Sequence, residues 1–232
     1  MPTYIITQNA TDNEGAFTGY ASLMSNQRNL GLVADWDAAV VNLTGTITIN
    51  NGVSGDVFID ADTGGAKGVS DLVEFTQSFV AFDTSSIPSG ETVTSVTHSF
   101  YQTSITSANG GIIEVYEKNW TNPITTGQFV PKASLTYPIL ATFNFSSGTS
   151  TAGTQQFTST SNYLSWINKG GTTRIMMANQ YARLNTSIIN GYSSYVRMIN
   201  SRTYDATKAQ KLTIVTTAGS SPTVYNLIVT PM

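Results

Sequence analysis

The chain has 232 residues, of which 40% are hydrophobic and 11% are charged, with a formal net charge of -3 and no cysteine. Soluble domains usually carry about 25% charged residues, so Ser, Thr, Asn and Gly must form most of the polar surface, as in extracellular β proteins, fibres and viral coats. Scattered Lys and Arg residues and a negative charge exclude nucleic acid as a partner, and the lack of cysteine excludes disulfides and zinc-thiolate sites.

Short segments of alternating apolar and polar residues, separated by turn signals, predict β-strands along most of the chain. The dipeptide Asn51-Gly52 predicts a hairpin turn between strands at residues 44–50 and 56–60. No segment approaches the roughly 20 apolar residues that a membrane helix needs. The other predicted strands lie at residues 3–7, 72–82, 92–103, 112–118, 139–145, 173–178, 194–199, 211–217 and 223–229.

Apolar residues at helical spacing within STSNYLSWINKGG predict one short helix near residues 160–169. Ser159 or Ser161 is expected to cap its start, and Gly170 is expected to end it. Many short strands with a single helix predict an all-β fold, a jelly-roll-like antiparallel β-sandwich that forms one domain over residues 1–232.

The segment FVAFDTSSIPSGETVTSVTHSFY (residues 79–101) has the pattern of a strand, a turn and a second strand. In the second strand, Val96, His98 and Phe100 are predicted to share one face, because side chains alternate between the two faces of a sheet. In the turn, the Asp83 side chain is expected to bond backbone amides as the first strand ends. The pattern of residues 79–101 is therefore explained by a structural role in the fold.

That segment resembles the DNRLRE-type domain family, and three later segments follow in the order found in that family. They are IIEVYEKNWT, FTSTSNYLSWINKG and AQKLTIVTT, so the resemblance covers roughly residues 73–217. The resemblance implies a β-sandwich of jelly-roll type that is related to carbohydrate-binding modules and also occurs in surface and virion proteins. It does not imply an enzyme.

The residues that catalysis would need are few. His98 is the only histidine and hence the only imidazole base for a serine hydrolase; its position in mid-strand favours a structural role with one hydrogen bond. A glycosidase needs two carboxylates, for which Glu74, Glu114 and Glu117 are candidates. Glu114 and Glu117 are predicted to project to opposite faces of one strand, which favours surface charge over paired catalysis. The sequence therefore predicts no enzyme.

The segment DADTGG (residues 60–65) is the candidate metal site. Asp60 and Asp62 before a glycine turn resemble the first half of an oxygen-ligand calcium loop, and Asp71 is a candidate distant ligand. The alternative is an acidic turn at the end of a strand. The sequence thus predicts no required cofactor and leaves a structural calcium ion as a hypothesis.

Exposed aromatic rings are the candidates for glycan binding, because sugar rings stack on aromatic faces. For each such ring the alternative is a place in the hydrophobic core. The candidate glycan-binding residues are Trp36, Trp120, Trp166, Tyr192 and Tyr195.

The amino-terminal sequence MPTYIITQNATDNEG lacks the basic start and apolar core of a secretory signal, which predicts a protein made in the cytoplasm. With the low-charge surface, this favours a non-enzymatic virion structural protein of a tailed phage: a capsid decoration, head-fibre or tail component with a capacity for glycan adhesion. The expected partners are copies of itself, other virion proteins and surface glycans. The alternative is a stand-alone carbohydrate-binding module, and a glycan-active enzyme ranks third.

Residues 1–10 and 219–232 are predicted assembly arms, because apolar strands at both ends can pair with the sheet edge of a neighbouring subunit. The alternative is that both segments pair within their own sandwich. The predicted assembly residues are Tyr4, Ile5, Ile6, Val224, Tyr225, Leu227 and Val229.

Overall fold

The computed structural model describes part of the chain. The backbone is described for residues 1–8, 19–26, 46–51, 56–62, 72–107, 111–121, 125–130, 135–146, 148–150, 152–180, 183, 193–199 and 207–219. Side chains are described for residues 1–8, 77–102, 111–121, 125, 127–130, 135–146, 152–180, 183 and 207–219.

The described residues form short antiparallel strands and one helix. The helix is α1 (Ser161–Trp166), and Thr126–Gln128 form a turn of 3-10 helix. The strands are β1 (Thr3–Thr7), β2 (Gly19–Asn26), β3 (Thr46–Asn51), β4 (Asp56–Asp62), β5 (Leu72–Asp83), β6 (Thr92–Ser107), β7 (Gly111–Glu117), β8 (Ile139–Phe145), β9 (Gly148–Ser150), β10 (Gly153–Gln156), β11 (Thr158–Ser159), β12 (Thr172–Asn179), β13 (Ser193–Ile199) and β14 (Lys211–Thr217).

The strands form an all-β sandwich, as predicted. One layer, the β6 layer, contains β1, β14, β6 and β13 in that order. The other, the β5 layer, contains β5, β12, β7, β8 and β11, and β4 joins the layers by pairing with both β13 and β5. β5 and β6 follow each other in the chain, yet each pairs with other strands. The turn between them therefore carries the chain from one layer to the other.

Apolar side chains that alternate along the strands fill the space between the layers. β6 buries Val96, His98 and Phe100 and leaves the residues between them half-buried, as the alternation predicted. β14 follows the same pattern and buries Leu212 and Ile214. Burial of this kind contributes about 25 cal/mol per Å² of apolar surface, so this inner core is the main stabilising element of the sandwich.

The β5 layer is also buried on its outer side, where the described part of the β7–β8 connection folds across it. Phe79 is fully buried although it alternates along β5 with inner-core residues, and the Trp120 ring packs edge-on against it with centroids 6.0 Å apart. Gln77 Nε2 donates to Val130 O at 2.7 Å, and Val130 N donates back to Gln77 Oε1 at 2.9 Å. This pair of bonds fastens the connection to the sheet.

Several predicted strands coincide with observed ones, but the predicted hairpin at Asn51-Gly52 is wrong. β3 pairs with β2, and β4 pairs with β13 and β5. A local turn signal cannot identify strand partners that are distant in sequence. The strands β2, β9, β10 and β11 were not predicted, because they are short or rich in Ser, Thr, Gly and Gln. The predicted strand at 223–229 lies outside the described residues.

The predicted helix is confirmed, whereas its predicted ends are wrong. Thr160, rather than Ser159 or Ser161, is the N-cap residue, and its hydroxyl bonds carbonyl oxygens of β8 instead of capping the helix. The helix ends at Trp166, and Gly170 adopts a φ of 76° in the turn that follows. In the part of the chain that the structure describes, no helix has the length and apolar character needed to span a membrane.

Candidate functional site

A surface cleft of about 520 Å³ lies beside the end of α1. We call it the Trp166 cleft. It is bordered by the turn between α1 and β12, by the start of β12, by the β7–β8 connection and by the β5–β6 turn. The residues that carry its chemistry are Ser89, Asn119, Trp166, Asn168, Lys169 and Arg174.

The turn between α1 and β12 has a fixed shape, because it is bonded to itself and to the β5–β6 turn. Gly171 N donates to Asn168 O at 3.1 Å, and Gly170 N donates to Thr84 O at 3.3 Å. The positive φ of Gly170 is one that residues with a side chain rarely adopt. The buried Thr84 hydroxyl lies 2.7 Å from Asn168 O and 2.9 Å from Gly171 O. These bonds hold the wall of the cleft in place before any ligand arrives.

The Trp166 side chain lines the cleft, as one of the two interpretations of this residue predicted. Its ring packs partly against the inner core, and Nε1 donates to Arg174 O at 2.7 Å. These two contacts fix the orientation of the ring. A fixed, half-buried aromatic ring at the side of a polar cleft is a suitable platform for a sugar ring.

Two cations lie at the Trp166 cleft. Lys169 Nζ donates to the backbone oxygen Glu91 O at 2.5 Å. The Arg174 guanidinium lies over the Trp120 ring, with its central carbon 5.7 Å from the ring centroid. The described residues that line the cleft include no carboxylate. The described lining of the cleft thus has two basic side chains and no acidic one, in a chain whose formal net charge is negative.

The cationic and amide residues of the cleft were not singled out by the sequence, which directed attention to aromatic rings alone. Lys169 and Arg174 are separated by a glycine turn, and Asn119 comes from another part of the chain. The available signal was local: a Gly-Gly turn follows Trp166, with Lys169 directly before this turn and Arg174 after it.

Trp120 is a correction to the predicted glycan-binding set. Its side chain is only 4% exposed, and its Nε1 donates to Ile175 O at 3.1 Å. Both facts follow from its place in the β7–β8 connection, where its ring packs against the β5 layer next to Arg174 and is closed to a ligand. Among the other predicted rings, Trp36 and Tyr192 lie outside the described residues. Tyr195 lies in β13 opposite Asp60 and Thr106, and its side chain is not described.

His98 is fully buried in the inner core and makes two hydrogen bonds. Its Nε2 lies 2.8 Å from Gln210 Oε1, and Nδ1 lies 3.2 Å from the Tyr163 hydroxyl. Since an amide oxygen only accepts, Nε2 carries the proton and Nδ1 accepts from Tyr163. Burial lowers the pKa of His98 to about 4, although the bond to Gln210 opposes this shift. The imidazole is a neutral structural group.

Glu114 is buried in an ion pair on the outer side of the β5 layer. Arg183 Nε donates to Glu114 Oε2 at 3.0 Å and Nη2 donates to Oε1 at 2.5 Å, while the Tyr116 hydroxyl also donates to Oε2. Burial and the neighbouring carboxylate raise the pKa of Tyr116. Glu117 is half-buried, and the side chain of Glu74 is not described. Glu114 and Glu117 thus form no catalytic pair.

The predicted calcium residues lie partly in a strand. Asp60 and Asp62 belong to β4, where they are register partners of Tyr195 and Ser193, and Asp62 is also opposite Glu74. Asp71 lies outside the described residues. Within the described ranges no three or more His, Cys, Asp or Glu side chains form a metal-binding group. The calcium site stays a prediction, but one in which two of the expected ligands are strand residues.

The amino-terminal assembly residues form the edge strand β1. Tyr4 and Ile6 are register partners of Ile214 and Leu212 in β14, so β1 pairs within its own chain. The Tyr4 hydroxyl donates to the Glu91 carboxylate at 3.1 Å. No described strand pairs with the other edge of β1, although the next residue, Gln8, forms a single bridge to Phe82 of β5. Ile5 alternates with the core-facing Tyr4 and Ile6 and is 70% exposed on the outer face.

The carboxyl-terminal assembly residues lie outside the described residues; they are Val224, Tyr225, Leu227 and Val229. The assembly arm at residues 219–232 stays a prediction, and so does its alternative, pairing within the same sandwich.

No family model matches this chain, and no curated protein matches it either. The resemblance to the DNRLRE-type domain therefore stays an expectation.

Proposed function

We propose that this protein is a non-enzymatic structural component of a tailed-phage particle: a capsid decoration, head-fibre or tail protein made in the host cytoplasm. The observation that carries this proposal is the edge strand β1, which exposes Ile5 and has one edge that no described strand covers. Copies of the chain or other virion proteins are the partners for that edge.

The state of the potential catalytic groups supports a non-enzymatic role. His98 is fully buried and bonded on both ring nitrogens, so its imidazole cannot reach a substrate. The Glu114 carboxylate is engaged by Arg183 and Tyr116. Groups held in this way stabilise a fold and are not poised to transfer a proton to a ligand.

The edge strand is held rigidly enough to act as a template. β1 is bonded to β14 along its length, and the Tyr4–Glu91 bond ties it to the β5–β6 turn. An edge that no described strand covers presents backbone groups that a strand of a second chain can bond. A pre-ordered edge also loses less conformational entropy when it pairs.

The test is sedimentation of a native lysate from cells that produce the chain, with mass spectrometry of the particle fraction. Wild-type protein is expected to band with particles in many copies. Ile5→Lys is expected to reduce the particle-bound copy number about tenfold, the effect of about 1.4 kcal/mol of lost contact energy. Its matched control is Thr213→Lys, which adds the same charge on the register partner of Ile5 in β14.

The proposal fails if wild-type protein stays soluble while particles sediment without it. If the protein bands with particles and Ile5→Lys matches Thr213→Lys, the virion role stands but β1 is not the contact.

A second function, glycan adhesion, is favoured by the Trp166 cleft. The cleft combines a fixed aromatic ring with the amides of Asn119 and Asn168 and the hydroxyl of Ser89. Small-molecule sites join an apolar surface to a few fixed polar groups in this way. The function applies to a stand-alone carbohydrate-binding module as well as to an adhesive virion protein.

A further inference from the structure

The charge of the Trp166 cleft narrows the class of ligand that it can take. Acidic side chains outnumber basic ones in the chain, 14 to 11, yet the cleft contains Lys169 and Arg174 and, among its described lining residues, no carboxylate. A neutral sugar needs no such arrangement. A ligand with a negative group gains charge-assisted hydrogen bonds from these residues.

The positive charge of Lys169 is not cancelled by its bond to Glu91 O, because a backbone carbonyl is a neutral acceptor. The Arg174 guanidinium is held over the Trp120 ring, with its central carbon 5.7 Å from the ring centroid. Both side chains are held in position by these contacts. The loss of side-chain entropy on binding is therefore reduced.

Trp166 and Arg174 are also coupled, since Trp166 Nε1 donates to Arg174 O. This bond reaches the backbone of Arg174, so it holds the ring next to the residue that carries the cation. An aromatic platform beside a cation suits a sugar ring that carries a carboxylate. Asn168 also lines the cleft; its Nδ2 donates to Thr172 O at 3.2 Å, and its Oδ1 can accept from a sugar hydroxyl.

We propose that the Trp166 cleft binds an acidic sugar residue, a hexuronic or nonulosonic acid, with its ring against Trp166 and its carboxylate bonded by Lys169 and Arg174. This inference rests on the proposed glycan-adhesion function and specifies its ligand class. The recognition is reversible binding, and no bond is broken.

The experiment is calorimetric titration of the full chain with matched ligands. Tri-galacturonic acid is compared with its methyl ester and with galactotriose, and sialyllactose is compared with lactose. At least one acid is expected to bind about tenfold more tightly than its neutral counterpart, as one charge-assisted hydrogen bond predicts. The difference is expected to shrink as salt is added.

Variants test the individual residues. Lys169→Gln and Arg174→Gln are each expected to weaken binding of the acid about tenfold while leaving the affinity for the neutral ligand unchanged. Trp166→Ala is expected to abolish binding, and Trp166→Phe, which keeps an aromatic ring, is expected to retain it. Lys211→Gln removes the same charge at β14, away from the cleft, and is expected to have no effect. Thermal unfolding of each variant checks that it is folded.

Each other outcome overturns the inference in a recognisable way. Equal binding of acid and neutral ligands removes the acidic specificity and leaves glycan adhesion standing. Citrate binding as tightly as the sugar acids, with Trp166→Ala unaffected, identifies a simple anion site. If none of the ligands binds, glycan adhesion itself fails, while the virion role is decided separately by sedimentation.

Discussion

Two networks of buried polar side chains find their hydrogen-bond partners in different ways. The first lies in the inner core and is neutral, and the second lies on the outer side of the β5 layer and is charged. In the first, His98 bonds Gln210 and Tyr163 as an uncharged imidazole. In the second, Glu114 and Arg183 are held as ions. The inner network has no exposed member, whereas the Arg183 side chain is 36% exposed.

The difference shows how depth decides protonation. A charge placed between the two layers would lose its hydration without an opposite charge to compensate, so burial keeps His98 neutral. On the outer side, Arg183 keeps contact with water while it neutralises Glu114, which reduces the cost of burying the carboxylate. The two networks should therefore respond differently to acid and to the loss of a partner.

The largest expected effect is acid destabilisation through His98. Its pKa is about 4 in the folded protein and about 6.5 when unfolded, so the unfolded chain binds the proton first. The contribution of neutral His98 to the free energy of unfolding is fully present above pH 6.5 and is lost as the pH decreases towards 4. Between pH 7 and pH 4, wild type should lose about 3 kcal/mol more than His98→Leu, measured by urea unfolding. Parallel pH profiles for the two proteins would contradict this prediction.

The next effect is on the charged network. Arg183→Gln leaves the Glu114 carboxylate buried with only Tyr116 as a partner. A fully buried pair broken in this way costs about 3–5 kcal/mol, and the partial exposure of Arg183 reduces the expected loss to about 2 kcal/mol. The double variant Glu114→Gln/Arg183→Gln should lose less, because no unpaired charge remains. Equal losses in the single and double variants, by urea unfolding at pH 7, would show that the unpaired Glu114 carboxylate adds no cost.

The smallest effect is the loss of one neutral hydrogen bond. Tyr163→Phe leaves His98 Nδ1 buried without its donor and should cost about 1 kcal/mol. Tyr137→Phe is the matched control, because the hydroxyl of Tyr137 bonds Lys118 at a half-buried position where water can replace it. Equal unfolding free energies for these two variants would mean that the inner network contributes nothing beyond packing.

The sequence predicted best those strands that bury one face. β6 and β14 alternate regularly, and residues 139–145 and 211–217 coincide with observed strands. β5 and β12 are buried on both faces, so their sequences contain apolar runs instead of a regular alternation. Such runs do not indicate which part of the chain covers the outer face. That cover depends on the β7–β8 connection, which explains why the sequence alone suggests an accessible ring at Trp120.

The candidate site could be predicted only in part, because its residues converge from different parts of the chain. Trp166 was identified from its type and from the short helix around it. Lys169 and Arg174 have no pattern that marks them, since their importance comes from the turn at Gly170 and from bonds to Glu91 and Trp120. Those partners follow from tertiary packing, which local patterns do not encode.

The cover over the β5 layer has a kinetic consequence. Residues 175–178 of β12 have a strand on each side and buried side chains on both faces, and the Gln77–Val130 bonds hold the outer cover shut. No local fluctuation can expose such a strand without opening a whole layer. The free energy of opening at β12 therefore approaches that of global unfolding. The amides of this segment should then exchange their hydrogens through global unfolding, whereas those of the edge strands exchange through local fraying.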